Sequence, residues 1–178
     1  MMSLLVTDKS EVVMSENIND TGSCQVLTFK MGEEVFGVNI MSVREVLDYT
    51  NVTKVPQTPD FMRGVINLRG NVVPVIDLKL KFGMSATERT VNTCIIIVEV
   101  SLDGESAILG ALADSVQEVV DFEKEFIEPA PRIGTQLNTE FIQGMAKKGE
   151  GFVIILNINK VFSADELNMY SGLQENAS

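Results

Sequence analysis

Hydrophobic and polar residues alternate strictly from Gln25 onward. Leu27, Phe29 and Met31 fall on one side of an extended chain, Thr28 and Lys30 on the other, a period of two that belongs to a half-buried strand. Gly32-Glu33 reads as a turn, and Phe36, Val38 and Ile40 resume the alternation, so residues 25–40 are expected to form a hairpin. Further short strands are expected at VTKVP (52–56), GVINLRG (64–70), NVVPVIDL (71–78), TCIIIVEVSL (93–102), ESAILGALAD (105–114), VQEVVDF (116–122), GMAKKG (144–149) and FVIILNI (152–158). Many short strands punctuated by Gly and Pro suggest small barrels or a sandwich rather than a parallel sheet.

Helical patterns are scarce. SADEL, from Ser163, carries Ser163 and Glu166 at capping-box spacing, with Phe162 and Leu167 placed for a hydrophobic staple, so a C-terminal helix is expected there. TPDFM (58–62) and NTEFI (138–142) read as single helical turns. Val43, Val46 and Leu47 fall at helical spacing inside VREVLD, where burial against the barrel is the simple reading.

The chain also resembles itself. GVNIMSVREV, from Gly37, and GALADSVQEV, from Gly110, share Gly, Ser, Val, Glu and Val in register at an offset of 73. FMRGVINLRGNVVPVIDLKLKF and FIQGMAKKGEGFVIILNINKVF are each 22 residues long and match Phe61 with Phe141, Gly64 with Gly144, Val73 with Val153 and Phe82 with Phe162, at an offset of 80. Two blocks in the same order indicate an internal duplication, two related all-β halves packed together.

The 178 residues are 45% hydrophobic and 22% charged, ordinary for a soluble globular protein. No apolar run approaches the ~18 residues of a membrane span, and the N-terminus lacks the basic start of a signal peptide. Residues 1–22 are polar without a sustained period and are expected to be a flexible tail, as are residues 169–178, leaving 23–168 as the folded unit, with strand exchange between its halves one option. The net charge of -11 argues against nucleic acid and anionic lipid as partners. That charge is uneven, because residues 44–89 hold seven bases against five acids. With no histidine in the chain, the commonest general base and metal ligand is missing, although carboxylate catalysis stays open. No GxSxG, P-loop, CxxC or HExxH occurs, and neither a metal site nor a cofactor is expected. Cys24 and Cys94 read as two buried thiols, a disulfide being the other option.

The duplication works as an internal control. Residues present in both halves point to scaffold. Gly64 and Gly144 recur, which suggests backbone turns that need positive φ. Glu45 and Glu118 recur, which suggests a cap or a structural pair. Asp77 faces Asn157, either of which is able to cap the turn after its strand. Arg69 differs: NLRG in the first half stands against KKGE in the second. It is either a solvated strand-end arginine or a fixed guanidinium that pairs with a carboxylate such as Glu45 or docks a partner.

The stretch VREVLDYTNVTKVPQTPDFMRGVINLRGNVVPVIDLKLKFG, supported by FGVNI, IEPAP and GFVIILNINKVF, resembles the CheW family of chemotaxis coupling proteins from Gln25 to Leu167. The resemblance implies an all-β fold of two five-stranded SH3-like β-barrels with short helical turns and a C-terminal helix. It implies a non-enzymatic, cytoplasmic adaptor of two-component signal transduction. Such a protein would link the cytoplasmic tip of methyl-accepting chemoreceptors to the regulatory domain of the histidine kinase CheA, in membrane-associated arrays and without inserting into the membrane itself. Carried over by motif, Val43, Glu45, Gly64, Asn67, Arg69 and Gly70 are the expected receptor-binding positions, in the groove between the barrels, and Arg63 is expected to face the kinase. The resemblance also raises a Glu45–Arg69 pair. The alternatives are a CheW-like module of a CheV-type or CheA-type protein and a carboxylate-dependent hydrolase.

Overall fold

A computed structural model describes residues 23–102, 104–129, 139–163 and 166. The strands are β1 (Ser23–Met31), β2 (Glu34–Asn39), β3 (Val43–Asp48), β4 (Met62–Leu68), β5 (Asn71–Ile76), β6 (Cys94–Leu102), β7 (Glu105–Ala113), β8 (Ser115–Glu123), β9 (Ile127–Glu128), β10 (Ile142–Lys148) and β11 (Gly151–Leu156). Two one-turn helices, α1 (Leu78–Lys81) and α2 (Ile158–Val161), follow β5 and β11, and 3-10 turns occupy Ile40–Ser42, Lys124–Phe126 and Thr139–Phe141. The hairpin expected at 25–40 is β1–β2, turning at Gly32 with φ 69°.

The strands form two sheets, β3-β6-β7-β5-β4 and β8-β1-β2-β11-β10-β9, the sixth strand of the larger being the two-residue β9. The duplicated halves are not the two sheets. The β1–β2 hairpin of the first half lies between β8 and β11 of the second, and β6–β7 of the second half lies between β3 and β5 of the first. The exchange keeps the register of the repeat. In the parallel pairs, Ile155 sits opposite Gly37 and Val75 opposite Gly110, the same matched positions with the halves traded. The backbone agrees, since Asp77 N donates to Phe61 O and Asn157 N to Phe141 O, both at 2.7 Å.

Both faces of the swapped hairpins are buried, which produces three apolar cores. Val26, Val153 and Ile155 fill the larger barrel, and Ile66, Val73, Ile95 and Ile97 the smaller. The third core lies between the barrels and draws Leu27, Phe29, Met31 and Phe36 from one sheet and Ile96, Val98, Leu109 and Ala113 from the other. Phe29, Phe36, Phe82 and Phe141 meet in succession through it, with ring centroids 5.7–6.3 Å apart. Burying each such side chain contributes roughly 1.5–3 kcal/mol, so the barrels are held together by a core, not by a linker.

Several local expectations change. Val43, Val46 and Leu47 lie on a strand whose register shifts between Val43 and Glu45; this bulge breaks the alternation and mimics helical spacing. Gly64 and Gly144 do not make turns. Both sit inside strands at the same register shift, where the neighbouring segment approaches the backbone closely. A Cβ at Gly64 would lie 2.2 Å from the carbonyl oxygen of Thr53, and φ there is 146°; at Gly144 it would lie 2.4 Å from Cγ2 of Ile127. NTEFI contains the expected helical turn, whereas TPDFM is a turn closed by Met62 N donating to Pro59 O. VTKVP contributes one bridge, Thr53 to Val65.

Both cysteines are free; Cys24 is buried and Cys94 half-buried. Ser163 and Glu166 make the reciprocal capping-box bonds. The remainder of the expected C-terminal helix, its Leu167 staple and both tails lie outside the described residues.

Candidate functional site

β4 and β5 are joined by two residues, Arg69 and Gly70, beyond the last pair Leu68–Asn71. Their φ values are 53° and 89°. Two consecutive left-handed residues make the hairpin turn whose twist matches that of its strands. Glycine takes this conformation freely, but for a residue with Cβ it costs about 1–2 kcal/mol. Among the described residues only Gln57 and Arg69 are non-glycines at positive φ. Asn67 supports the turn, its Oδ1 accepting from Gly70 N at 2.8 Å.

The turn holds Arg69 over the edge of β3. Its Nη1 and Nη2 donate to Glu45 Oε2 and Oε1 at 2.5 and 2.9 Å, a bidentate fork that lysine is unable to make. β3 and β4 are the two outer strands of the five-stranded sheet, so the pair bridges the seam of the barrel. The hydrogen bond from Arg69 holds the Glu45 carboxyl below the ordinary carboxylate range, partial burial opposing it and the charge of Arg69 adding to it. Arg69 stays 69% exposed, available to a partner.

Beneath this pair opens a shallow pocket of 380 Å³, whose lining includes Arg44, Leu68, Val73, Ile97 and Ile108. Sequence reasoning missed this mouth, because its apolar walls come from β4, β5, β6 and β7 and no local pattern marks their meeting. It also missed Arg44, whose Nη2 donates to Glu99 at 2.7 Å.

Glu45, Asn67, Arg69 and Gly70 therefore converge on one hairpin tip. Val43 packs instead against the core between the barrels. Gly64 is buried toward the other end of β4, beneath Thr53. The pocket beside Arg69 is lined by the smaller barrel alone, and of the six expected positions Val43 is the one that packs on the core between the barrels.

Arg63, near the start of β4, is held differently. Its Nη1 donates to Asp77 Oδ2 at 2.9 Å and to Thr87 O at 3.2 Å. Asp77 is completely buried and also accepts from Lys79 N, Thr87 N and Thr87 Oγ1. It caps α1 as expected, whereas the side chain of Asn157 makes no capping bond at α2.

The second copy supplies the contrast. Lys148 and Gly151 are the last pair of its β10–β11 hairpin, and of the two residues between them only Gly149 has positive φ, 63°. The matched acid Glu118 pairs with Lys148, one position before the counterpart of Arg69. The acid-to-tip pair is thus common to both barrels, while an arginine in the left-handed position belongs to the first alone.

Comparison with known proteins agrees with this architecture. A CheW-like domain model matches residues 25–166. The chain is 35% identical over 154 residues to a chemotaxis protein CheW of Klebsiella aerogenes, covering 86% of this chain and 90% of that protein. It is 34% identical to a probable chemotaxis protein CheW of Rhizobium etli, covering 82% and 91%. The crystal structure of the scaffolding protein TtCheW from Thermoanaerobacter tengcongensis superposes with a TM-score of 0.70 at 37% identity, covering 80% of this chain and 89% of that one. With an exchanged double barrel and a charged hairpin tip in place, the chain belongs to the CheW family of chemotaxis scaffold proteins.

Proposed function

We propose that this protein is a non-enzymatic adaptor that couples methyl-accepting chemoreceptors to the histidine kinase CheA. In this reading it works in the cytoplasm, in arrays assembled under the membrane, and its Arg69 tip docks the cytoplasmic hairpin of the receptor. One observation carries the reading: an exposed arginine occupies a left-handed turn position where the second copy has Gly149. Strain kept at an exposed site, where the other barrel avoids it, points to a function that stability alone does not explain. Val43, Glu45, Gly64, Asn67 and Gly70 join it in different ways. Glu45 aims the guanidinium, Asn67 and Gly70 hold the turn, Gly64 admits the segment covering β4, and Val43 anchors the start of β3 on the core between the barrels. Arg63 would meet the kinase with the part of its guanidinium outside the Asp77 pair. Several weak contacts of this kind on one small protein gain strength by multivalency in an array.

The test is Arg69→Glu against a soluble receptor-tip fragment and, separately, against the CheA regulatory domain. The variant is expected to melt like the parent, to lose the receptor fragment in a pull-down and to keep CheA. Retention of the fragment, or loss of the fold, overturns the assignment of Arg69 to docking.

A further inference from the structure

The mouth beneath Arg69 differs from its copy in chemistry as well as in shape. Register matches Leu68 with Lys148, and it matches Ile97, opposite Gly110, with Thr28, opposite Gly37. In the larger barrel Thr28 is fully buried, its Oγ1 donating to Glu118 O at 2.7 Å and accepting from Glu118 N at 3.1 Å. This hydroxyl sews β1 to the register shift in β8, and Lys148 bonds Glu118 above it. Polar groups thus occupy the matching position of the second barrel. In the smaller barrel Ile97 and Leu68 have nothing with which to make those bonds, and the same place stays open, with Val73 and Ile97 as floor and Leu68 and Ile108 as walls.

The opening is small and its rim is charged. At 380 Å³ it lies near the low end of the ~300–1,000 Å³ that ligand pockets span, room for one large side chain. The rim carries Arg44, paired with Glu99, and Arg69, paired with Glu45. The Glu45 fork uses one N–H on each of two nitrogens, and the remaining donors of the Arg69 guanidinium, 69% exposed, favour a carboxylate beside whatever enters.

We propose that the mouth of the smaller barrel is a socket for one apolar side chain of the docked receptor segment, and that Arg69 takes a carboxylate beside that side chain. The inference rests on the docking reading above and adds the chemistry that it selects. It makes Leu68, Ile97 and Ile108 binding residues and explains why the first barrel has isoleucine where the second has the hydrogen-bonded Thr28.

The experiment titrates the full chain, methyl-labelled at Ile, Leu and Val, with the receptor-tip fragment. The Gly70 amide reports docking at the turn, and the Ile97 and Ile108 methyls report the socket. All three are expected to shift together. Leu68→Lys, which installs the residue that the second barrel already carries at this position, is expected to weaken binding at least tenfold with an unchanged melting curve. A Gly70 shift with still methyls, or full affinity in Leu68→Lys, overturns the socket and leaves the docking reading intact. No shift anywhere overturns both. Should Leu68→Lys unfold, the wild-type titration decides alone.

Discussion

The two barrels solve one structural problem twice and part company at one exposed turn. Each contains a matched two-residue hairpin, β4–β5 or β10–β11, and each pairs a matched glutamate, Glu45 or Glu118, with a base at that tip. In the larger barrel the left-handed position is Gly149 and Thr28 bonds the Glu118 backbone beside it; in the smaller one it is Arg69, and an apolar pocket opens beside it. Agreement between the copies identifies scaffold. Disagreement alone does not identify function, as Asp77 and Asn157 show: they differ because Asp77 is buried among donors that Asn157 does not meet. The informative difference combines exposure with conformational strain, and Arg69 has both.

The largest effect that separates the copies is expected at that buried acid. Asp77→Ala leaves the N–H groups of Lys79 and Thr87 without their side-chain acceptor, and the Arg63 guanidinium with Thr87 O alone. Each buried donor left without a partner costs about 1–3 kcal/mol, and the N–H groups of the buried Lys79 and Thr87 with Thr87 Oγ1 make three, so the loss should exceed about 3 kcal/mol. Asn157→Ala removes no capping bond and should change stability by less than about 0.5 kcal/mol. Chemical denaturation of the two variants measures the contrast, and similar losses would show that the copies are equivalent at this position after all.

The matched glycines are expected to separate by less. Alanine at Gly64 meets a backbone carbonyl that has no rotamer to change, at a φ of 146°, and should cost about 3 kcal/mol. Alanine at Gly144 meets Cγ2 of Ile127 at 2.4 Å and the Glu128 carbonyl oxygen at 3.0 Å, but its φ lies outside the left-handed region, so without that backbone strain it should cost about 1–3 kcal/mol. At this chain length, each kcal/mol moves the melting midpoint by about 2–4 °C. Equal midpoints for the two variants would mean that the strands relax around Gly64 as easily as around Gly144.

Much of this architecture was legible in the residues. Alternation located nearly every strand, and the self-match of Gly37 with Gly110 and of Val73 with Val153 anticipated the pseudo-symmetry of the parallel pairs. The exchange of hairpins was less visible, because a strand's pattern reports which faces are buried and not which neighbour buries them. The glycines misled for a related reason: a glycine that admits a crossing strand looks in sequence like one that makes a turn. At the site, Glu45 and Arg69 were readable as partners, whereas the left-handed backbone of Arg69 and the socket under it depend on tertiary register.

The smallest effect concerns the ion pair itself. Arg69→Gly gives the first tip the residue of the second and relieves the strained φ, while it removes the fork on Glu45 and adds glycine's freedom to the unfolded chain. These contributions oppose one another, so the melting midpoint at neutral pH should stay within about 4 °C of the parent. The pH dependence separates them. Glu45 titrates below its ordinary value in the folded parent, chiefly through the hydrogen bond from Arg69. Stability from the pair is therefore fully present above the unfolded carboxylate pKa of about 4.3, and it is lost as pH falls through the lowered value. The glycine variant has no such contribution to lose, so the difference between the two proteins should move in its favour as the pH is taken from 7 to 3. A difference that is flat across that range would mean that Glu45 and Arg69 gain nothing from each other in solution. Arg69 would then owe its place in the turn to the partner alone.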